Sequence, residues 1–352
     1  MPRKTRAHPL LPFHLFIAFH MALAGLLAAD IAPTAAVRAD TDTSDDSASE
    51  LDRNFAALRL QQSHLAEINF RLATANDALC DTHLPQSGLV MQEKSQFSAN
   101  IRDAAARFFH LDDGPSVMVV VPGSPADTAG LQPDDVVKAI NGIALPLDGV
   151  TSGRRGSVTA ISGLTNLIER ELGRGAATLS ILRHGQPLSV TLGSVSGCRS
   201  RADLSLSREM NSYADGLTAT ITTAVVGYTR SDDELAVVLG HEMSHNVQHD
   251  RDPSGHGGRI DDKVVSVRQS EAEADYVGVY LMARAGYDYR QAPLFWERSR
   301  NYGGSGGGSH PSWPKRVALT ETAIHEIDRK RAQGQPLIPE LPFFTNRLKP
   351  AA

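Results

Sequence analysis

Residues 234–250 read ELAVVLGHEMSHNVQHD and contain His241, Glu242 and His245 in the order H-E-x-x-H. On a helix, residues four apart lie on one face, so the two imidazoles can offer nitrogens to one tetrahedral Zn²⁺. Glu242 then lies beside the metal, where it can accept a proton from the water that attacks a peptide carbonyl. The motif predicts a zinc hydrolase centre.

The residues before the motif predict a buried helix. The segment 231–234 reads as a capping box, and Leu235, Val238 and Leu239 form an apolar stripe ahead of the histidines. Because H-E-x-x-H also occurs by chance in surface helices, the prediction depends on finding a third ligand elsewhere in the chain.

The composition is that of a folded protein without the character of a nucleic-acid binder. The 352 residues are 41% hydrophobic and 21% charged, which is enough for two compact domains with their own cores. The net charge is −5, and the basic cluster that nucleic-acid recognition needs is missing beyond the N-terminus. We therefore expect no nucleic-acid partner.

The N-terminus is typical of an export signal. Three basic residues within 1–6 precede an apolar stretch at 10–29, and cleavage is expected after Ala29 or Ala39. An uncleaved single-span anchor is the alternative, because the apolar run is long. No second segment of membrane-spanning length follows in the sequence. The rest of the chain is expected in the periplasm or cell envelope, with membrane contact through the N-terminal segment if it is retained.

Two regions follow the signal. Residues 1–39 are assigned to the signal and the start of a linker, and residues 40–50, which are polar, to a disordered linker. Residues 51–111 are assigned to a helical segment that packs on the catalytic domain. Apolar residues recur there at helical spacing, at Leu51, Phe55, Leu58, Leu65, Ile68 and Leu72.

Cys80 and Cys198 are the two cysteines of the chain. In an oxidising compartment an isolated pair is most simply a disulfide, and two buried free thiols are the alternative. Neither cysteine has the spacing of a zinc ligand.

Residues 112–195 change to short β-rich runs, such as VMVVV at 117–121 and VVKAI at 136–140. The run VVVPGSPADTAGLQPDDVVKAING resembles a bacterial, protease-associated PDZ domain. This resemblance implies a small β-barrel with two helices that captures peptides by adding a strand to a sheet edge.

The same resemblance implies a loop that receives the carboxylate of a peptide, expected near residues 112–117. Asp112 and Asp113 would repel an anionic chain end there, so binding of internal segments, gating, or a spacer without ligand stay open. Since Cys80 and Cys198 flank the module, a bond between them would join the ends of an inserted domain.

The third zinc ligand is predicted in QSEAEADYVG, where Glu271 and Asp275 are spaced i, i+4 on a helical run. Glu271 can bind the metal while Asp275 orients a ligand histidine. The longer pattern HExxHxxGxxH is excluded, because it needs Gly and His where this chain has Gln248 and Arg251. His249 is read as a helix-end histidine.

HEMSH followed by E-x-E-A-D-Y-V-G resembles family forty-eight of the metallopeptidases, the gluzincins that include the HtpX heat-shock protease and the CAAX prenyl proteases. The resemblance covers the domain predicted at 199–345 and implies that His241, His245 and Glu271 bind zinc. The segment NSYADG at 211–216 is similar to the family's N-A-x-A-x-G strand entry, which implies that Asn211 and Ala214 bind substrate.

The segment 309–311 reads SHP, matches a Ser-His-Pro motif of the same family, and is followed by Arg316. The resemblance implies that His310 approaches the metal, where it would stabilise an oxyanion or cap the zinc at rest. Arg316 is expected to pair with a carboxylate near the site. A structural loop histidine is the alternative for His310.

The predicted fold class is α+β: a mainly helical zincin-type metallopeptidase domain with a short β-sheet, plus an inserted PDZ domain. The predicted function is a zinc endopeptidase of the cell envelope that cleaves unfolded or extended proteins, with the PDZ domain selecting or gating substrate. A chaperone or scaffold with a latent or structural zinc site is the alternative. The expected partners are protein or peptide substrates and a PDZ peptide ligand.

Overall fold

The computed structural model describes residues 43–145, 156–249, 259–260, 263–264, 267–301 and 311–341. The predicted signal or anchor at 1–39 and His310 lie outside these residues. Within the described ranges, no helix is both long enough and apolar enough to cross a bilayer.

The described helices and strands belong to two domains. The helices are α1 Thr43–Ala75, α2 Arg102–Phe108, α3 Pro125–Thr128, α4 Thr159–Leu172, α5 Thr223–Tyr228, α6 Asp232–His249, α7 Val267–Arg284, α8 Gln291–Arg298 and α9 Trp313–Ala332. The strands are β1 His83–Gln86, β2 Leu89–Gln92, β3 Ser116–Val120, β4 Val136–Ile140, β5 Ile143–Ala144, β6 Ala177–Arg183, β7 Gln186–Leu192, β8 Val195–Cys198, β9 Arg201–Ser205, β10 Ser212–Ala214, β11 Thr218–Thr222, β12 Arg259–Ile260 and β13 Lys263–Val264.

The inserted domain is built on an antiparallel sheet with strand order β2-β3-β4-β6-β7, and β5 pairs with β4. Helix α4 packs on the sheet through Ile161, Leu164 and Ile168, which are buried. The turn between β4 and β5 has Asn141 at a φ of 49°, the positive value of a two-residue hairpin turn. The resulting small antiparallel domain with α3 and α4 agrees with the predicted PDZ architecture.

The inserted sheet extends beyond the predicted range 112–195, because it begins with β2 at Leu89. The segment 51–111 is therefore not helical throughout: it contains β1 and the edge strand of the inserted sheet. Leu89 and Met91 pack into the core of the inserted domain, whereas Val90 packs on the opposite side, against a second cluster. A four-residue strand that is covered on both faces shows no alternation of apolar and polar residues.

The carboxylate-binding loop predicted near residues 112–117 lies next to an inner strand of the described sheet. That segment leads into β3, which pairs with β2 on one side and β4 on the other, so β3 offers no edge to a peptide. Asp112 forms an ion pair with Lys94 at 2.8 Å. Strand β2 forms one edge of the described sheet and β7 forms the other, and the loop that precedes β2 contains Ser87 and Gly88.

The second domain combines a three-stranded sheet with helices α5 to α9. Strand β11 lies in the centre, antiparallel to β10 and parallel to β9. Strand β11 stops at Thr222, because the Thr222 side chain accepts a hydrogen bond from the Val225 N–H and caps α5. Within the segment 211–216, residues 212–214 form β10.

Helix α1 connects the two domains. Leu65, Ile68 and Leu72 are buried in the core of the second domain, while Phe55 packs with Phe109 in an aromatic cluster behind the inserted sheet. The helix starts at Thr43, so the disordered linker predicted at 40–50 is wrong from that point on. The polar sequence there has no apolar periodicity that could indicate a helix.

Cys80 and Cys198 form the predicted disulfide, with their Cα atoms 5.4 Å apart. Strands β1 and β8 pair beside it, and His83 lies opposite Cys198. The bond therefore joins the two ends of the inserted domain, as expected for an insertion. The described part of the C-terminal segment after α9 is irregular, and its Leu337 and Leu341 pack against the core of the second domain.

Candidate active site

Helices α6 and α7 approach each other closely because glycines face each other where they cross. A Cβ atom placed on Gly278 would lie 3.0 Å from the backbone nitrogen of His241. A Cβ atom on Gly240 would lie 3.1 Å from the carbonyl oxygen of Gly278. Side chains at either position would push the helices apart, so the two glycines allow the donors on both helices to converge.

Three donors converge between these helices: His241 and His245 on α6 and Glu271 on α7. The Nε2 atoms of the two histidines are 3.3 Å apart. Glu271 Oε2 lies 3.2 Å from His241 Nε2 and 3.6 Å from His245 Nε2. For a tetrahedral ion with bonds of about 2.0–2.1 Å, ligand atoms are about 3.3–3.4 Å apart. The donor set therefore fits Zn²⁺ in number, type and spacing.

Asp275 holds the first histidine from behind, as its i, i+4 spacing to Glu271 predicts. Its Oδ1 lies 3.0 Å from His241 Nδ1. Because Nε2 faces the other donors, we place the proton of the neutral ring on Nδ1, from which it donates to Asp275. This contact fixes the tautomer and the orientation of the ring.

Arg316 completes this buried group. Its guanidinium donates to both oxygens of Asp275, with the shortest contact at 2.6 Å, and its central carbon lies 3.3 Å from the centre of the Trp296 ring. Burial raises the pKa of Asp275, but His241 and Arg316 outweigh burial and hold that pKa below its ordinary value. Arg316 thus contacts a carboxylate that supports the donors.

The electrostatics of His241 follow from the same neighbours. Burial lowers its pKa, but the hydrogen bonds with Asp275 and Glu271 outweigh burial and raise the pKa to about 9. In the metal-free protein the ring is therefore protonated at neutral pH. Zinc needs a neutral imidazole, so the ion competes with a proton for this ring.

Glu242 follows the first donor on α6 and is 4% exposed. Its Oε1 accepts a hydrogen bond of 2.7 Å from the Ser212 hydroxyl of β10. Sequence reasoning missed Ser212, because a serine in a short polar segment carries no signal of a partner 30 residues away.

Asn246 is a second residue that sequence reasoning missed. It is fully buried, accepts a 3.0 Å hydrogen bond from the Gly216 N–H and donates to the Ser200 hydroxyl. It therefore ties helix α6 to the turn that follows β10. Its position one turn beyond Glu242, on the same helix, is the signal that could have identified it.

Asn211 and Ala214 are predicted to bind substrate. Asn211 lies immediately before strand β10, and Ala214 is the last residue of that strand. Among the described residues β10 pairs with β11, and its other edge carries no strand. Asn211 O accepts from the Thr222 N–H, so the Asn211 backbone faces β11. Ala214 is at the alternate position, and its backbone faces the open edge.

Comparison with known proteins finds a match for each of the two domains. A PDZ domain model matches residues 116–152, and the model of peptidase family M48 matches residues 188–254 and 263–323. One relative is the mitochondrial metalloendopeptidase OMA1 of Arabidopsis thaliana, 30% identical over 130 residues. The match covers 29% of this chain and 27% of the relative, so the chain spans about a quarter of that protein's length.

Proposed function

We propose that this chain, whose residues match the models of peptidase family M48 and of a PDZ domain, is a zinc metallopeptidase that cleaves extended or unfolded proteins in the cell envelope. In this proposal the PDZ domain selects the substrates. The observation that carries the proposal is the set of three zinc donors at tetrahedral spacing with Glu242 on the same helix.

The chemistry is divided between the metal and the side chains of the site. Zinc, when bound, supplies the Lewis acidity that activates water and polarises a peptide carbonyl. Glu242 accepts the proton of the attacking water and then donates it to the leaving amine nitrogen. Asp275 keeps His241 in its binding tautomer, and Arg316 keeps Asp275 ionised. A purely structural site would need no residue in the role of Glu242.

The open edge of β10 supports an extended substrate. A peptide can add to this edge by backbone hydrogen bonds, which places it alongside the helix that carries His241 and Glu242. A folded protein does not present a free extended segment, so the edge favours unfolded chains. Asn211 contributes to this site through the strand it begins, and Ala214 through its outward-facing backbone.

The inserted domain supports selection better than a swinging gate. Helix α1 has residues in the core of the peptidase domain and in the aromatic cluster behind the inserted sheet, the disulfide joins the two ends of the insertion, and Arg201 of β9 forms an ion pair with Glu169 of α4. These three connections hold the PDZ domain at a fixed position next to the peptidase sheet.

Location in the envelope is supported by the disulfide, since such bonds persist in oxidising compartments. Sequencing the N-terminus of the exported protein tests the location. A start after residue 29 or 39 is expected for a cleaved signal, and a start at residue 1 indicates a retained anchor.

The Glu242→Gln variant tests the enzymatic proposal. Cleavage of casein is expected to fall about 10²–10⁴-fold, because the amide cannot accept the proton, while the zinc content measured by atomic absorption stays at the wild-type level. Wild-type protein treated with a chelator is the positive control for loss of activity. Unchanged cleavage by the variant contradicts the proposal. A wild-type protein that binds zinc and unfolded chains but cleaves none favours the scaffold alternative.

A further inference from the structure

Ser212 touches both halves of the proposed reaction centre. Its backbone belongs to the strand that offers an open edge to substrate, and its hydroxyl donates a 2.7 Å hydrogen bond to Glu242 Oε1.

The direction of the Ser212 backbone follows from the pairing of β10 with β11. The Thr222 N–H donates to Asn211 O at 3.1 Å, and the Asp215 N–H donates to Thr218 O at 3.2 Å. Residues 211 and 215 therefore direct their backbone groups toward β11. In an antiparallel pair the intervening alternate positions point the other way, so the N–H and C=O of Ser212 and Ala214 face the open edge.

The side chains of β10 alternate as well. Tyr213 is 51% exposed on the outer face of the sheet, whereas Ser212 points to the inner face, where Glu242 is buried. A substrate strand that bonds to the Ser212 backbone is thereby placed in fixed register with the carboxylate held by the Ser212 side chain.

A carboxylate at the end of two methylene groups can rotate unless another group restrains it. The Ser212 hydroxyl occupies Oε1, so Oε2 is the oxygen left to meet the attacking water. A hydrogen bond to an ionised acceptor is among the stronger ones in proteins, and it is directional. The contact therefore selects one orientation of Glu242.

We propose that Ser212 is a positioning residue, which holds Glu242 in the orientation that accepts the proton and links that orientation to the register of the bound substrate strand. The inference rests on the proposed role of Glu242 as the base. It predicts that loss of the hydroxyl lowers kcat and leaves KM and zinc affinity unchanged, since the backbone edge and the three donors remain.

The test compares Ser212→Thr with Ser212→Val, two side chains of nearly the same shape that differ in the hydroxyl. Both are β-branched and suit a strand. We expect the threonine variant to keep kcat within about threefold of wild type and the valine variant to lose about ten- to a hundredfold, the range for one hydrogen bond to a charged group. Ser205→Ala, on β9 of the same sheet, is the matched control and should behave as wild type.

The readouts are kcat and KM on an extended fluorogenic peptide, zinc affinity by chelator competition, and the thermal midpoint of each metal-free variant. Equal kcat for the threonine and valine variants overturns the inference, as does a valine variant that loses zinc or changes mainly in KM. Glu242→Gln is measured in parallel: an active Glu242→Gln variant refutes the role of Glu242 itself, whereas an inactive one together with a fully active Ser212→Val variant refutes the positioning role alone.

Discussion

Among the described residues, β10 of the peptidase domain and β2 of the PDZ domain are both edge strands that can receive an extended peptide, and their surroundings differ. Beside β10 lie ionisable groups that are buried and hydrogen-bonded, including Glu242 and His241. Beside β2 lies the apolar face of α4, with Leu164 and Ile168 buried. Both edges therefore offer the same backbone geometry. The ionisable groups beside β10 suit chemistry, and the apolar side chains beside β2 suit capture of a peptide.

The two edges also depend on glycine in different ways. Gly278 lets helices approach, at ordinary helical backbone angles, so that donors on two elements converge. Gly88 has a φ of +74° in the loop before β2, and a Cβ atom there would lie 2.2 Å from Ser124 Cβ. Substituting each glycine therefore separates the contributions of the two edges.

Gly278→Ala is expected to have the largest effect. The new methyl group meets the backbone of α6, which cannot move without shifting His241, so we expect about 1–3 kcal/mol of destabilisation and a loss of most zinc affinity and activity. Binding of peptides by the PDZ domain should remain. Gly163→Ala in α4 is the control, because nothing lies within 4 Å of its added Cβ. Chelator competition and thermal unfolding measure the outcome, and zinc affinity equal to that of the control would show that the helix crossing is not critical.

Gly88→Ala should produce the opposite pattern at a smaller scale. An alanine at positive φ costs about 1–2 kcal/mol, and the contact with Ser124 forces the loop to move. We expect peptide binding at β2, followed by fluorescence anisotropy, to weaken about tenfold, and cleavage of long substrates to slow. The turnover of short peptides that reach β10 directly should not change. A parallel fall in short-peptide cleavage would mean that the two edges are not separate sites.

The smallest expected effect is the release of protons when zinc binds. Because the pKa of His241 is raised to about 9 in the metal-free protein, zinc binding at pH 7 should release about one proton, and at pH 9 about half a proton. Titration calorimetry in buffers of different ionisation enthalpy measures this release. Zinc binding without proton release at pH 7 would contradict the raised pKa.

The sign of the linked stability follows from the same pKa. A folded-state pKa above the ordinary 6.5 means that His241 stabilises the metal-free fold fully below about pH 6.5, and that this contribution is lost as the pH rises through about 9. Asp275 has the opposite sign, because its pKa is lowered: its contribution is present at neutral pH and is lost on acidification. The metal-free protein should therefore be most stable between these two transitions.

The zinc donors could be predicted from the sequence because their geometry is local. His241 and His245 share one helical face, and so do Glu271 and Asp275, and helical spacing alone sets these relations. The crossing that brings the two helices together depends on Gly240 and Gly278, whose role becomes visible when the backbones are seen in contact.

The sheet edges could not be predicted correctly because they depend on long-range pairing. β3 reads as a strong strand, but its sequence does not indicate that β2 and β4 cover both of its sides. The hydrogen bond from Ser212 to Glu242 is likewise a contact between elements. Strand pairing and side-chain contacts at such separations depend on the whole topology, which local periodicity does not encode.

Helix α1 also determines what can be isolated from this protein. Phe55 belongs to the aromatic cluster behind the PDZ sheet, and Leu65 and Leu72 belong to the peptidase core. A fragment that begins at β2 would leave Phe97 and Phe109 without the helix that covers them, and a peptidase fragment that begins at β9 would expose its own core. Helix α1 is therefore common to the two domains, and its contacts reach as far as Gly286, whose carbonyl accepts a hydrogen bond from Arg71 over a separation of 215 residues.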